Sequence, residues 1–186
     1  MPRRKSISEP DLLALLLDAM MAVGPDNLTF ARAAASTGLS APTLVQRFGA
    51  RDRMIEAVLL YSWDRLDEAT EAADVGYPVS PRGAIDLLLH LTHDPGQGLD
   101  GGLRLLQEDM RNPALRARGS AWGDRLSVAL NRRLAKKGAT DLGWQMAQVW
   151  QGAIIWWGFC RNGDPAQAIR SALEAWCETA GLDYSP

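Results

Sequence analysis

The pattern of apolar and polar positions along the chain is helical from one end to the other. In the first segment Leu13, Leu16, Leu17 and Met20 recur every three or four residues, which places their side chains on one face of an α-helix. Similar stripes follow in the later segments, and no stretch alternates apolar and polar residues convincingly enough to predict a strand. The sequence therefore predicts an all-α fold of about nine helices.

Local capping signals set the predicted helix boundaries. Ser8 can cap the first helix, and the glycine and proline that follow Val23 end it. The residues at 94–98 (Asp-Pro-Gly-Gln-Gly) predict a loop before a short sixth helix, and Thr140 or Asp141 can cap the eighth.

The stretch 28–54 predicts two short helices joined by a tight turn. Gly38 lies where the first helix must end, because glycine takes the left-handed conformation without steric cost. Ser40 can cap the second helix, and Leu39 and Leu44 are spaced to form a hydrophobic staple. Such a helix-turn-helix can place its second helix in the DNA major groove, although a capped corner between two surface helices has the same spacing.

The two faces of this second helix differ in chemistry. Leu44 and Phe48 are four residues apart and point together toward a core. The remaining positions form a face that can read base edges, with polar side chains at Thr43 and Gln46 and a cation at Arg47.

The charge distribution favours contact with phosphates at one end only. The whole chain carries a net charge of −2, but residues 1–53 hold seven Lys/Arg against five Asp/Glu, and the remainder holds thirteen against seventeen. A mildly basic head on an acidic body suits a protein that touches nucleic acid through its head. The basic residues at 1–6 can add phosphate or minor-groove contacts.

The last two predicted helices carry apolar residues nearly all round. The longest apolar run is residues 150–160, and small residues at 168, 172 and 175 form a second stripe on the ninth helix. A helix of this kind must be buried on two sides. One side can face the subunit's own core and the other a second copy, which predicts a homodimer built through these two helices. Burial of both sides within one subunit is the alternative.

The segment 38–44 (Gly-Leu-Ser-Ala-Pro-Thr-Leu), followed by Phe48 and by 51–54 (Arg-Asp-Arg-Met), resembles the TetR family of bacterial transcriptional regulators. The resemblance covers about residues 12–60. It implies a helix-turn-helix DNA-binding domain at 1–53, and a linking helix with a ligand-binding and dimerisation domain at 54–186.

The resemblance also assigns the residues that touch DNA. Thr29 and Arg51 match positions that hold phosphates, and Val45 stands where the family usually has an aromatic residue that contacts the backbone. The full set of DNA-binding candidates is Thr29, Ala41, Pro42, Thr43, Val45, Gln46, Arg47 and Arg51. Ala50 replaces the usual polar cap of the fourth helix.

A ligand pocket is expected among the fifth to eighth helices. Most of the seven tryptophans lie in the body, which favours an apolar or flat effector. Each candidate could equally be an ordinary core residue. The candidates are Leu89, Leu106, Met110, Trp122, Leu126, Trp150 and Ile154.

Indications of a metal site or of a cationic ligand are weak. Asp86, His90 and His93 share a helix face, but they are read as a solvated surface rather than as a metal site. Glu108 and Asp109 could neutralise a cationic ligand or simply lie on a helix surface. No spacing of catalytic or metal-binding residues is evident, so we expect neither an enzyme nor a cofactor.

The expected function is a cytoplasmic, ligand-responsive regulator, acting as a repressor on a palindromic operator and released by a small molecule. The N-terminus does not resemble a signal peptide, and the longest apolar run is too short to span a bilayer, so no membrane contact is expected. Cys160 and Cys177 are far apart, which argues against a disulfide framework. The alternative is an all-α small-molecule-binding or adaptor protein with a weakened DNA-binding head.

Overall fold

The computed structural model describes residues 7–92, 95–136 and 140–184, with the backbone alone for 95–101. Within these ranges the chain forms nine α-helices, one short 3₁₀ turn (Pro25–Asn27) and no strand. The predicted all-α class is confirmed. The helices are α1 (Glu9–Val23), α2 (Phe30–Thr37), α3 (Ala41–Phe48), α4 (Arg51–Gly76), α5 (Pro81–Leu91), α6 (Pro95–Arg111), α7 (Pro113–Arg133), α8 (Leu142–Cys160) and α9 (Pro165–Ala180).

Five of the helices begin with a side-chain cap, and two of these caps, Ser8 and Ser40, were predicted. In each, the side-chain oxygen of the capping residue accepts a backbone N–H of the first turn, which satisfies a donor that the helix itself cannot pair. The caps are Ser8, Thr29, Ser40, Ser80 and Asp164.

The sixth helix is longer than its sequence suggests. It begins at Pro95, so residues 95–98 are helical and the loop expected there is wrong. Proline fits the first helical turn because its missing N–H would have no partner there. The segment's glycines made a loop the natural expectation, since glycine lowers helix stability. The residues at 1–6, His93 and Asp94, for which the sequence analysis made predictions, lie outside the described residues.

The eighth helix is capped from another part of the chain. Asp141 occupies the capping position with a left-handed backbone (φ +57°), and its side chain makes no capping hydrogen bond. Instead the backbone N–H of Gly143 donates to Oδ1 of Asn131 at 2.8 Å. Asp141 therefore stands at a predicted capping position, but the hydrogen bond expected of its side chain is absent and a residue of α7 provides it.

The chain divides into two compact units, and the first comprises Met1–Arg65 and Asp100–Gly119. Its core is built on the apolar face of α1, where buried residues recur every four positions. Leu115 from α7 joins this core, so the unit contains more than the residues of the predicted head; the boundary after residue 53 stays a prediction. The buried core is Leu12, Leu16, Met20, Leu28, Ala33, Leu44, Met54, Ile55, Val58, Leu59 and Leu115.

The second unit comprises Leu66–Leu99 and Ser120–Pro186. Its α8 and α9 pack closely together, and α5 packs on α9. Fully buried residues on α5 and α9 supply much of the apolar interior, including Ile85, Leu88, Ile169 and Leu173. Cys177 is buried as well, and burial raises the pKa of its thiol to about 11, whereas Cys160 is exposed.

No described helix has a stretch long and apolar enough to cross a lipid bilayer.

Candidate nucleic-acid interface

The turn that precedes α3 sets the orientation of this helix on the core of the head. Gly38 adopts the left-handed conformation (φ +70°) and ends α2. Ser40 then accepts the backbone N–H of Thr43 at 3.2 Å, as its position predicted. Leu44 is fully buried in the head's core, and Leu39 and Phe48 pack against that core. The opposite face of α3 is therefore held toward solvent.

The exposed face of α3 carries the chemistry expected of a base-reading helix. Pro42, Val45, Gln46 and Arg47 are exposed, whereas Ala41 and Thr43 are half-buried. The hydroxyl of Thr43 lies 2.7 Å from that of Ser40, so it takes part in the cap. Val45 presents an apolar surface, which can contact a thymine methyl group but cannot hydrogen-bond a phosphate.

The Arg47 side chain forms an ion pair with a residue of another helix. Its Nη2 donates to Oε2 of Glu9, the first residue of α1, in an ion pair within the head. Both side chains keep solvent access, with 31% and 50% of their surface exposed. Glu9 is 38 residues away in sequence, so no local pattern indicates this pairing.

Thr29 and Arg51, assigned to phosphates by the resemblance, have partners inside the head. The Thr29 hydroxyl accepts the backbone N–H of Arg32 at 3.2 Å as the cap of α2, and its own proton can still be donated. Arg51 donates from Nε to the Leu28 carbonyl at 3.0 Å and from Nη2 to the Pro25 carbonyl. Arg51 thus stabilises the 3₁₀ turn. The phosphate role of both residues stays a prediction.

The predicted ligand-binding residues fall into two groups. Leu89, Trp122, Leu126, Trp150 and Ile154 belong to the second unit, where Trp122, Leu126 and Trp150 are buried. Leu106 and Met110 belong to the first unit, with 41% and 58% of their surface exposed. The seven are therefore divided between the two units.

The indole N–H groups of the two buried tryptophans in the second unit are both hydrogen-bonded. Trp122 Nε1 donates to the Thr70 hydroxyl at 2.9 Å, and Trp150 Nε1 donates to the Thr92 hydroxyl at 2.8 Å. Their rings lie 6.5 Å apart, centroid to centroid, at 50°. A ligand beside these rings would find both indole N–H groups already engaged.

The second unit also has a surface groove of about 540 Å³. It includes none of the seven predicted ligand-binding residues. It is lined by Asn131, Leu134, Ala135, Lys136, Thr140, Asp141 and Leu142.

The remaining polar candidates are engaged with neighbouring side chains. Asp86 pairs with Arg82 at 3.4 Å and with Arg170 at 3.1 Å, and the described residues contain no group of three potential metal ligands. Asp109 is buried in the first unit and accepts the indole N–H of Trp63 at 3.1 Å. Burial raises the pKa of Asp109, although this hydrogen bond opposes the rise.

The fold is shared with solved structures over most of the chain. A TetR-like transcriptional regulator from Rhodococcus sp. RHA1 is 20% identical, with a TM-score of 0.65 over 95% of this chain and 100% of that chain. A TetR-family member from Streptomyces coelicolor A3 is 18% identical, with a TM-score of 0.62 over 89% and 98%. The multidrug binding protein EbrR complexed with imidazole is 13% identical, with a TM-score of 0.65 over 100% and 98%. No family model and no curated protein sequence matches the chain.

The order of the helices, with a helix-turn-helix in the first unit, places the chain among the all-α helix-turn-helix proteins. Within that class it has the fold of the TetR-family transcriptional regulators, which is the fold that the resemblance implied.

Proposed function

We propose that this chain is a ligand-responsive transcriptional regulator, a cytoplasmic homodimer that acts as a repressor on a palindromic operator. The observation that carries the proposal is the outward face of α3, with Gln46 and Arg47 exposed on a helix whose entry is fixed by Gly38 and Ser40. A short helix with an anchored inner face and a polar outer face fits the major groove. The TetR fold supports the same role.

Replacing Arg47 by alanine is expected to weaken operator binding about 5- to 150-fold, because a bidentate arginine–guanine contact contributes about 1–3 kcal/mol of discrimination. The measurement is an electrophoretic shift with genomic fragments, starting with the chain's own upstream DNA, at low and rising salt. Cys160→Ala, an exposed change on α8, is the matched control and should bind as the unaltered chain does.

Binding that falls steeply with salt would separate this function from a small-molecule-binding or adaptor role, since release of counterions from phosphates gives such a slope. Failure of every genomic fragment to shift at low salt would reject the DNA-binding role. The adaptor alternative draws its support from Val45, which lacks a phosphate-binding group, and from the neutralised Arg47.

The second unit exposes apolar side chains that support the homodimer. On α8, Trp156 and Phe159 are 69% and 77% exposed, and their ring centroids lie 5.7 Å apart. Ile155, one helical turn before Phe159, is exposed as well. Contiguous aromatic surface of this kind is characteristic of a protein interface. We propose that it packs against the same surface of a second copy, together with the small residues of α9.

Replacing Phe159 by glutamate is expected to convert the dimer into a monomer, because the new carboxylate would lose its hydration inside an apolar interface. Sedimentation velocity over a range of protein concentrations measures the change. Val79→Glu is the control, since Val79 is 68% exposed on the connection between α4 and α5 and lies outside the proposed interface. Equal association of the Phe159 variant and the unaltered chain would contradict the interface.

The effector is proposed to be an apolar or aromatic small molecule that binds in the second unit beside Trp122 and Trp150. The EbrR complex with imidazole supports a ring-containing ligand, because that multidrug binding protein shares the fold. The predicted roles of Leu106 and Met110 in ligand binding are not part of this proposal and stay predictions. A ligand that prefers the conformation in which the two α3 helices no longer match the half-site spacing would release the operator.

A further inference from the structure

The contact between α1 and α3 changes the electrostatic character of the base-reading face. Glu9 is the first residue of α1, directly after the cap Ser8, and the partial positive charge of the helix N-terminus stabilises its carboxylate there. Its Oε2 accepts from Nη2 of Arg47, in the last turn of α3. The two charges cancel at close range, so the main cation of the α3 face is half of a neutral pair.

A neutral pair and a free guanidinium favour different DNA groups. Phosphate contacts depend on net positive charge and carry no sequence information directly, whereas a guanine edge offers two neutral acceptors. An arginine has five N–H donors in a planar fork, and this ion pair occupies Nη2 alone among the three nitrogens. The ion pair with Glu9 therefore leaves four of the five N–H donors of Arg47 for base acceptors, while the carboxylate reduces the attraction to any phosphate.

We propose that Glu9 is a specificity-determining residue that acts through Arg47: it neutralises the guanidinium, so that Arg47 favours guanine edges over phosphates. This inference rests on the proposed DNA-binding function and adds a residue outside the helix-turn-helix to it. Removing the carboxylate leaves a free cation on α3, which binds any duplex more tightly and discriminates less between sequences.

The test compares two variants that each remove one negative charge from α1. The probes are a duplex selected by the unaltered chain from a random 20-base-pair pool and a scrambled duplex of equal length and composition. Glu9→Gln should bind the scrambled duplex about fivefold tighter and the selected duplex less than about twofold tighter, and its salt slope on the scrambled duplex should steepen by about one. Asp18→Asn, an exposed change on the same helix, should leave the ratio of the two affinities unchanged.

The same substitution in an Arg47→Ala background separates action through Arg47 from a general charge effect. There Glu9→Gln should leave the affinity ratio and the salt slope unchanged, because the partner is gone. Persistence of the effect in that background, or equal effects of Glu9→Gln and Asp18→Asn, would overturn the inference while the DNA-binding function stands. If neither the unaltered chain nor Glu9→Gln enriches any duplex, the proposed function and this inference both fail.

Discussion

Replacing Arg133 by methionine is expected to lower the free energy of unfolding by about 3 kcal/mol, because it leaves the backbone carbonyls that Arg133 pairs without a donor, at a cost of about 1–3 kcal/mol each. The Arg133 side chain is fully buried on α7. Its Nη1 donates to the Asp74 carboxylate at 2.5 Å, and its Nη2 donates to the backbone carbonyls of Asp74 and Tyr77 at 2.7 and 2.9 Å. These carbonyls lie at the C-terminal end of α4, where the helix has no donors of its own.

Urea unfolding followed by circular dichroism measures this loss. Arg132→Met is the matched control, because Arg132 pairs with the other oxygen of the same Asp74 carboxylate but is 53% exposed. Exposed pairs contribute little, so this variant should lose about 1 kcal/mol or less. Similar losses in the two variants would show that burial of Arg133 does not matter.

The pH dependence of the same variant provides a second check. Burial acts to raise the pKa of Asp74, but hydrogen bonds and charges from Arg133 and Arg132 outweigh it and hold this pKa below its ordinary value of 3.8. The lowered pKa contributes stability above pH 3.8, and this contribution is lost as the pH falls through the folded value. Without Arg133 less of this stability is present at neutral pH, so the deficit of Arg133→Met should shrink as the pH falls below 3.8. A deficit that does not change with pH would argue against the pair.

Replacing Gly143 by alanine is expected to destabilise the chain by about 3 kcal/mol, the upper end of the usual cost of overpacking. A Cβ atom at this position would overlap the carbonyl oxygen of Ser127 and would lie 3.0 Å from the backbone nitrogen of Asn131. Both obstacles belong to the backbone of α7, which cannot rotate away as a side chain can. The start of α8 would have to move away from α7, and the hydrogen bond from Gly143 to Asn131 would lengthen with it.

Gly152→Ala is the control for this prediction, because it makes the same substitution on the same helix. A Cβ atom there has no neighbour within 4 Å, and alanine favours a helix over glycine by about 1 kcal/mol. Thermal unfolding should therefore show a lower midpoint for Gly143→Ala and an equal or higher midpoint for Gly152→Ala. A shift in the same direction for both would mean that helix propensity, rather than contact with α7, decides the outcome.

The parts of the fold that the sequence predicted correctly depend on interactions within a few residues. Ser8 and Ser40 cap helices through a donor three residues away, and Gly38 ends a helix through its own backbone conformation. Apolar spacing likewise indicated the inner face of α3, since Leu44 is buried. Such signals can be recognised from a short stretch of sequence without knowledge of the rest of the chain.

The parts that the sequence missed depend on contacts between distant residues. No local sequence pattern identifies the partners of Glu9 and Arg51, which lie 38 and 23 residues away. On α6, periodicity identifies two faces but cannot tell which one is covered. The acid Asp109 faces inward, where Trp63 pairs with it, whereas Leu106 faces solvent.

The capping of α8 by Asn131 makes the formation of these two helices interdependent. Asn131 also donates from Nδ2 to the Ser127 hydroxyl at 3.3 Å, so its side chain is oriented by α7 before it can receive the N–H of Gly143. An isolated α8 would have no such acceptor at its start, because Asp141 provides none. The first turn of α8 therefore gains its cap only when α7 is formed and docked beside it, so the helix that bears the exposed aromatic surface depends on α7 for its start.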